Sequence, residues 1–394
     1  MSFFDLPPVI ERMLLVSKDI SDLNFSVGRS PQVEINGKLM PVEPLGLKRL
    51  SPYQTEVIAM TLLQGNPEAT ARLARTGSAD LSYALPSCTR FRVNIFQQRG
   101  THSIVMRVIP NGVPTIESLG LPTRLTDIAD LRNGLVLLTG PTGSGKSSTL
   151  AAIINNINRT KHYHIITIED PIEFLHRHIN STVNQREVGS DAIDFPSALR
   201  AALRQAPKVI LIGEMRDLET TEIALEAAET GHLVLSTLHT IDASKTVNRI
   251  IGLYSKSEEL TIRTRLAQTF RYIVSQRLIP RADGRGRVAA VEILKSTQRT
   301  REYIAEGESQ GKRLLDAMRD GEIDGMQDFD STIKSLIERG SITKEDGLDF
   351  ATNQNNLLLA LQGLSPTQDY VHAGEPPANP STRNGSMLGM IDKT

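Results

Sequence analysis

The sequence predicts an α/β protein with a parallel sheet in the second half of the chain and a smaller α+β domain before it. Two observations lead to this prediction. After residue 117, short continuous apolar runs alternate with amphipathic stretches, which is typical of a parallel sheet covered by helices on both faces. Before residue 110, apolar and polar residues alternate as they do in antiparallel strands.

The smaller domain is predicted to cover residues 1–110. An apolar-periodic stretch over residues 9–23 (VIERMLLVSKDISDL) predicts a helix, and the pair Asn36–Gly37 predicts a hairpin turn. A capped helix is expected over residues 50–63. Three antiparallel strands are expected between residues 80 and 109.

The remainder of the chain divides by composition into four predicted parts. Residues 111–116, rich in proline and glycine, are the linker, and residues 117–296 are the sheet domain. Residues 297–363 have a purely helical pattern. Residues 364–394 are predicted to be a disordered tail, because their composition offers little apolar surface to bury. The predicted strands of the sheet are GLVLLTG, HIITIED, KVILIGE, LVLSTLH and RVAAVEIL.

The composition narrows the possible functions. The 394 residues are ample for two domains, and the formal net charge is −1. With 4% aromatic residues and no tryptophan, a motor with a basic, aromatic nucleic-acid channel is disfavoured. One cysteine, Cys88, forbids an internal disulfide and a zinc cage built from cysteines. No signal peptide or apolar run long enough to span a membrane is evident, so we expect an intracellular protein that reaches a membrane only through a partner.

The segment GPTGSGKS, Gly140–Ser147, matches the phosphate-binding loop pattern in full. It follows a predicted strand and opens a predicted helix, which is the context that the motif requires. Backbone N–H groups and the helix N-terminus would hold the phosphates of ATP. Lys146 would reach the β- and γ-phosphates, and Ser147 would ligate Mg²⁺. The predicted nucleotide-binding residues are Gly140, Pro141, Thr142, Gly143, Ser144, Gly145, Lys146, Ser147 and Ser148.

Acidic residues follow the next two predicted strands. TIEDPIEF places Glu169, Asp170 and Glu173 at a strand end, where a carboxylate can orient or deprotonate the attacking water or hold Mg²⁺ through water. The strand KVILI is followed by Gly213 and Glu214, and Glu214 is the candidate acid beside Mg²⁺. Because carboxyl ends of parallel strands share one edge, these groups are expected to converge on the phosphate-binding loop.

Histidines and arginines complete the candidate set. His232 and His239 lie at the two ends of the predicted strand LVLSTL. For such a pair alone, a structural role in the core is favoured, but beside a nucleotide site a γ-phosphate sensor or an intersubunit contact is also plausible. The smaller domain carries Arg92 and Arg107, and Arg200 lies on a predicted helix. An arginine supplied from elsewhere in the chain or assembly could complete the site.

The order of these motifs, namely the phosphate-binding loop, EDPIE, GE.RD and TGHL..STLHT, resembles the secretion ATPase superfamily. Within it, the sequence is similar to the PilT- and PilU-like type IV pilus retraction ATPases from about residue 21 to residue 362. The resemblance implies a RecA-like P-loop ATPase core behind a PAS-like N-terminal domain. It further implies a homohexamer with nucleotide between the domains, acting on a platform protein of the pilus at the inner membrane.

The resemblance also implies roles for individual residues. Glu173 matches the catalytic carboxylate and Glu214 the acid of the Walker B motif. His232 and His239 belong to a His box that links the nucleotide state to interdomain contacts. The arginines that match phosphate-side positions are Arg92, Arg107 and Arg200.

Three alternatives within this chemistry remain open. The family segment AIRNLIRE corresponds here to RTREYIAEG, residues 299–307, and the family SDLH reads SDLN. The chain can therefore be the principal retraction motor, an accessory paralogue that works with other pilus ATPases, or the ATPase of a related secretion or conjugation-like system. Extension ATPases usually add a four-cysteine zinc site, which a single cysteine excludes.

Overall fold

The architecture is that of two β-sheets, each with its own helices, in a computed structural model. The described parts of the chain are residues 5–17, 20–35, 37–43, 46–85, 89–109 and 112–364. The predicted hairpin residue Asn36, the linker residue Asn111, Cys88 and the predicted tail from residue 365 onward lie outside them.

The first sheet belongs to the N-terminal domain and is antiparallel throughout, with the strand order β3-β2-β1-β6-β5-β4. Its core contains the fully buried side chains of Leu23, Phe25, Phe91 and Ile104. The strands are β1 (Ile20–Phe25), β2 (Gln32–Ile35), β3 (Lys38–Pro41), β4 (Ser78–Ala84), β5 (Arg90–Gln98) and β6 (Thr101–Ile109). The helices are α1 (Leu6–Leu14), α2 (Pro52–Leu63) and α3 (Pro67–Thr76).

The predicted helix over residues 9–23 is wrong in its second half. Helix α1 ends at Leu14, and Ile20–Phe25 forms a strand instead. This strand lies inside the sheet and pairs with β2 on one side and with β6 on the other. Hydrogen bonds to both neighbouring strands satisfy the backbone of this segment. The spacing of its apolar residues, which resembles that of a helix, gives no information about this pairing.

The second sheet has seven strands in the order β13-β12-β7-β11-β10-β8-β9. Strands β7 and β11 are buried along their whole length, as expected for a sheet covered on both faces. The strands are β7 (Gly134–Thr139), β8 (His164–Glu169), β9 (Thr182–Glu187), β10 (Val209–Ile212), β11 (Leu233–Leu238), β12 (Phe270–Pro280) and β13 (Arg287–Lys295). The helices of this domain are α4 (Lys146–Thr160), α5 (Phe195–Ala202), α6 (Leu218–Glu229), α7 (Ala243–Ile251) and α8 (Glu259–Thr269).

The α/β fold class is confirmed, but the sheet is mixed rather than wholly parallel. The predicted strand RVAAVEIL, β13, pairs antiparallel with β12, which the sequence pattern missed. Strand β12 pairs parallel with β7 and carries the buried polar residues Ser275 and Gln276. These side chains form hydrogen bonds with Thr139 and Thr149, so polar residues interrupt an apolar run that is nevertheless buried.

The C-terminal region is helical, as predicted. A core of its own, including Phe329, Ile333 and Leu357, packs against Ile279 of β12 and Ala290 of β13. No helix within the described ranges combines the length and apolar character needed to cross a membrane. The helices are α9 (Gln298–Glu306), α10 (Leu314–Asp320), α11 (Phe329–Glu338), α12 (Lys344–Asp349) and α13 (Gln354–Leu361).

Candidate nucleotide-binding site

The phosphate-binding loop connects the end of β7 to the start of α4 and lies directly against β12. Gly140 and Gly145 have φ angles of +145° and +89°. A Cβ atom on Gly140 would lie 2.5 Å from the carbonyl oxygen of Gln276, and one on Gly145 would lie 2.8 Å from its Nε2. Glycine is therefore required at both positions, for its positive φ and for the close approach to β12.

The interior of this loop suits a phosphate group. Lys146 Nζ donates to the carbonyl oxygens of Gly140 and Pro141, at 2.9 and 3.0 Å, which curls the side chain across the loop. Burial lowers the pKa of Lys146, an effect that the nearby carboxylate of Glu173 opposes. Ser144 Oγ is buried without a hydrogen-bond partner among the described residues. An oxyanion would supply acceptors for these donors.

The acidic loop after β8 faces the first turn of α4. Ser147 Oγ donates to Glu173 Oε1 at 3.1 Å, so the predicted metal ligand and the predicted catalytic carboxylate are in contact. Glu169 lies deeper and accepts from Thr167 Oγ1 at 2.6 Å and from Gln185 Nε2 at 3.0 Å. Burial nevertheless raises the pKa of Glu169. Glu173 is thus the carboxylate that reaches the loop, while Glu169 supports the strand end behind it.

The third group of candidates lies after β10 and β11. His239 Nε2 lies 3.2 Å from Glu214 Oε2, and Arg216 forms an ion pair with the other oxygen of Glu214. The His239 pKa is lowered, first by burial and then by the charges of Lys146 and Arg216. A neutral ring with its proton on Nε2 can donate to Glu214. Thr237 Oγ1 donates to the Gly213 carbonyl at 2.7 Å, which ties the two strand ends together.

One cavity of about 480 Å³ is lined by the functional side chains of all three groups, namely Lys146, Ser147, Glu169, Glu173, Glu214, Arg216, Thr237 and His239. Two basic side chains that line the cavity, Arg287 and His176, were not predicted from the sequence. Arg287 begins β13, and its Nη1 lies 3.4 Å from the Gly143 carbonyl oxygen. Burial lowers the pKa of His176 to about 4, so this ring is neutral. The GRGR turn before β13 was a visible signal for Arg287, whereas His176 lies in a segment without a recognisable motif.

The residues present also fit a magnesium ion that is bound together with a nucleotide. Within the described ranges, no group of three or more His, Cys, Asp or Glu side chains could hold a metal ion. Mg²⁺ in nucleotide sites uses one or two protein ligands and completes its shell with phosphates and water. Ser147 and Glu214 could supply such ligands.

The small-domain arginines lie side by side. Arg92 of β5 pairs directly with Arg107 of β6 in the sheet register. Arg107 Nε donates to Asp22 Oδ1 at 3.1 Å, and its side chain is 68% exposed. Arg92 is exposed and lines a cleft of about 200 Å³ between the domains, together with Asp170 and Pro171 of the acidic loop.

The structure does not bring His232 and Arg200 to this cavity. His232 precedes β11 at the end opposite His239, and its Nδ1 lies 3.0 Å from the carbonyl oxygen of Ala227. Arg200 of α5 is half-exposed and forms an ion pair with Glu219. Their functional roles remain predictions that concern interdomain or intersubunit contacts.

A buried carboxylate supports the site from behind. Glu292 of β13 accepts from Ser275 Oγ at 3.0 Å and from the Ala243 amide at 2.8 Å. Ser275 in turn accepts from Thr139 Oγ1 at 3.0 Å, the residue before the phosphate-binding loop. Burial raises the pKa of Glu292 to about 7; Asp242 raises it further and Arg277 opposes the shift.

We expect Glu292→Gln to flatten the dependence of stability on pH. Below pH 4.5 the carboxyl is protonated in both states. As pH rises from 4.5 to about 7, the unfolded chain ionises first, so the wild type loses stability relative to the variant. A shift of this size corresponds to about 3 kcal/mol. Urea titrations of both proteins between pH 5 and 8 measure this difference, and parallel pH profiles would contradict the prediction.

Comparisons of the sequence and of the structure with known proteins agree with one another. The family model described as "Type II/IV secretion system protein" matches residues 46–341. The type IV pilus retraction ATPase PilT of Pseudomonas aeruginosa is 41% identical over 336 residues, which cover 85% of this chain and 95% of that protein. The type IV pilus ATPase PilU of the same organism is 39% identical, with 91% and 92% covered. A solved structure of the pilus retraction motor PilT with bound ADP superposes with a TM-score of 0.79 at 39% identity, and covers 89% of this chain and 98% of its own.

Proposed function

Because this chain belongs to the type II/IV secretion system protein family, we propose that it is an ATP-hydrolysing motor that powers type IV pilus retraction and twitching motility. The observation that carries the proposal is that Lys146, Glu173 and Glu214 line the same cavity. Relatives described as retraction and twitching proteins, which this chain matches over most of its length, support it.

The chain's own residues supply the protein groups that phosphoryl transfer to water requires. Lys146 leaves its two carbonyl acceptors to bind the β- and γ-phosphate oxygens, and the loop amides hold the remaining oxygens. Glu173 orients the attacking water and accepts its proton, while Glu214, held by His239 and Arg216, fixes the metal side of the site. Ser147 and Glu214 would hold Mg²⁺, which would supply neutralisation of the phosphate charge.

Motion arises from the cleft between the domains. Arg92 faces the acidic loop across this cleft, so closure brings its positive charge toward the γ-phosphate. Hydrolysis removes that phosphate, and the cleft can then open again. We propose that six copies form a ring that transmits this closure to the platform protein of the pilus at the inner membrane. In this assembly the ATPase works in the cytoplasm and reaches the membrane through that partner, alongside other pilus ATPases.

Loss of the gene should leave pili on the cell surface but abolish twitching, since pili would extend without retracting. Complementation with the wild-type chain should restore twitching, and complementation with Lys146→Ala should not. Lys161→Ala, at the opposite end of the same helix, is the matched control and should restore it. Normal twitching and normal pilus number in the deletion strain would contradict a retraction role, and a defect that appears only when a second pilus ATPase is weakened would identify an accessory motor.

A further inference from the structure

A buried carboxylate joins the small domain to the ATPase domain. Glu187 is the last residue of β9, and its side chain is 4% exposed. It lies in register with Glu169 at the end of β8, beside the acidic loop. A charge with so little access to water must be satisfied by protein groups.

The partners of Glu187 come from both domains. From the small domain, Ser82 Oγ of β4 donates to Oε1, and Arg90 Nη2 of β5 donates to Oε2 at 3.2 Å. From the ATPase domain, the backbone amide of Ile172 donates to the same Oε2 at 3.1 Å. Arg90 and the Ile172 amide therefore share one oxygen atom across the domain boundary.

Both ends of this contact are next to candidate catalytic groups. Ile172 directly precedes Glu173, whose carboxylate accepts from Ser147. Ser82 is the register partner of Arg92 in the small-domain sheet. A shift of the small domain that breaks the contact would thus displace the Glu173 loop and the strand pair that carries Arg92 together.

We propose that Glu187 is a positioning residue that couples the placement of the small domain to the Glu173 loop. The expected effect on hydrolysis rests on the proposed role of Glu173. The contact of Glu187 with both domains does not depend on that role. Arg90 stabilises this contact because its positive charge neutralises Glu187. The Nε atom of Arg90 is buried without a partner among the described residues. Removing Arg90 leaves Glu187 buried and uncompensated, which favours separation of the domains.

Hydrogen exchange tests the link without reference to catalysis. The amide of Ile172 should exchange faster in Arg90→Ala and in Ser82→Ala, although both changes lie in the other domain. Exchange is followed by mass spectrometry on a peptide that covers residues 170–175. Arg75→Ala, which removes an exposed arginine of the same domain on α3, is the matched control and should leave this peptide unchanged.

Steady-state kinetics test the consequence for hydrolysis. We expect Arg90→Ala and Glu187→Gln each to lower kcat by about tenfold with KM for ATP changed less than about twofold, and the double variant to be no worse than either single one. Should Glu187→Gln fail to fold, Ser82→Ala gives the same test, because it removes one contact and leaves the charge pair in place.

The outcomes separate this inference from the proposed function. If the wild type hydrolyses ATP while both the exchange and kcat of the variants match the wild type, the coupling is refuted and the ATPase assignment stands. If exchange rises but kcat does not, the link exists without positioning Glu173, which also refutes the inference. A wild-type chain that fails to hydrolyse ATP contradicts the proposed function, and the exchange result still decides whether the link exists.

Discussion

Replacing Lys146 with alanine is expected to reduce ATP hydrolysis to background while the protein remains folded. The ammonium group is the positive charge held inside the phosphate-binding loop, and within the described ranges no other lysine lines the cavity. Without it, the charge that develops between the β- and γ-phosphates loses its direct partner. Phosphate release from purified Lys146→Ala measures the effect, and calorimetric titration with ATP measures the accompanying loss of affinity.

The fold should survive this change because the hydrogen bonds of Lys146 to the described residues go to two backbone carbonyls of its own loop. Lys161→Ala is the control, since Lys161 is the C-cap residue that follows the same helix and forms a surface ion pair with Asp130. Exposed ion pairs contribute little to stability, so both activity and melting temperature should stay near wild type. Wild-type turnover in a folded Lys146→Ala protein would refute the assignment of the loop.

The sequence is most informative where local chemistry decides the structure. The phosphate-binding loop needs glycine at positions with positive φ and a lysine at its end, and these demands are visible in eight consecutive residues. The acids Glu173 and Glu214 could be placed because carboxyl ends of parallel strands meet at one edge. The structure brings both into the same cavity as Lys146.

Features that depend on pairing between distant segments could not be predicted in this way. Strand β12 was missed because Ser275 and Gln276 break its apolar run, yet their partners lie on β7 and α4, far away in sequence. The same holds for Glu187, whose partners come from three separate segments. A polar residue looks like a surface residue until the group that satisfies it is known.

The small domain lies beside the nucleotide cavity, because Asp170 and Pro171 line both that cavity and the interdomain cleft. Its arginines determine what closure of the cleft can do. Arg92 lines the interdomain cleft opposite Asp170, and Arg107 stands next to it in the sheet. Asp22 accepts a hydrogen bond from Nε of Arg107, which leaves the two terminal nitrogens of that guanidinium group for another acceptor. Asp22 compensates the charge of Arg107 in part, and Arg92 is its partner in the strand register. An anion between the domains would therefore further stabilise the two positive charges.

We therefore expect Arg92→Ala and Arg107→Ala to lower kcat strongly and to affect ADP binding by less than about twofold, since ADP lacks the γ-phosphate. An arginine supplied to a γ-phosphoryl group contributes roughly 10³–10⁵-fold in rate in other nucleotide hydrolases, which sets the upper range for Arg92. Arg92→Lys should recover part of the rate, because it restores the charge but not the planar fork.

Phosphate release and ADP titration on each variant test this expectation, with light scattering to compare assembly. Arg75→Ala removes an exposed arginine of helix α3 in the same domain, so it controls for the loss of net charge and should keep turnover within about twofold of wild type. Arginines that serve only as surface residues of the strands would behave like this control. If Arg92→Ala and Arg107→Ala assemble normally and hydrolyse ATP at the wild-type rate, the γ-phosphate is not met by the small domain, and closure of the cleft cannot be the step that hydrolysis drives.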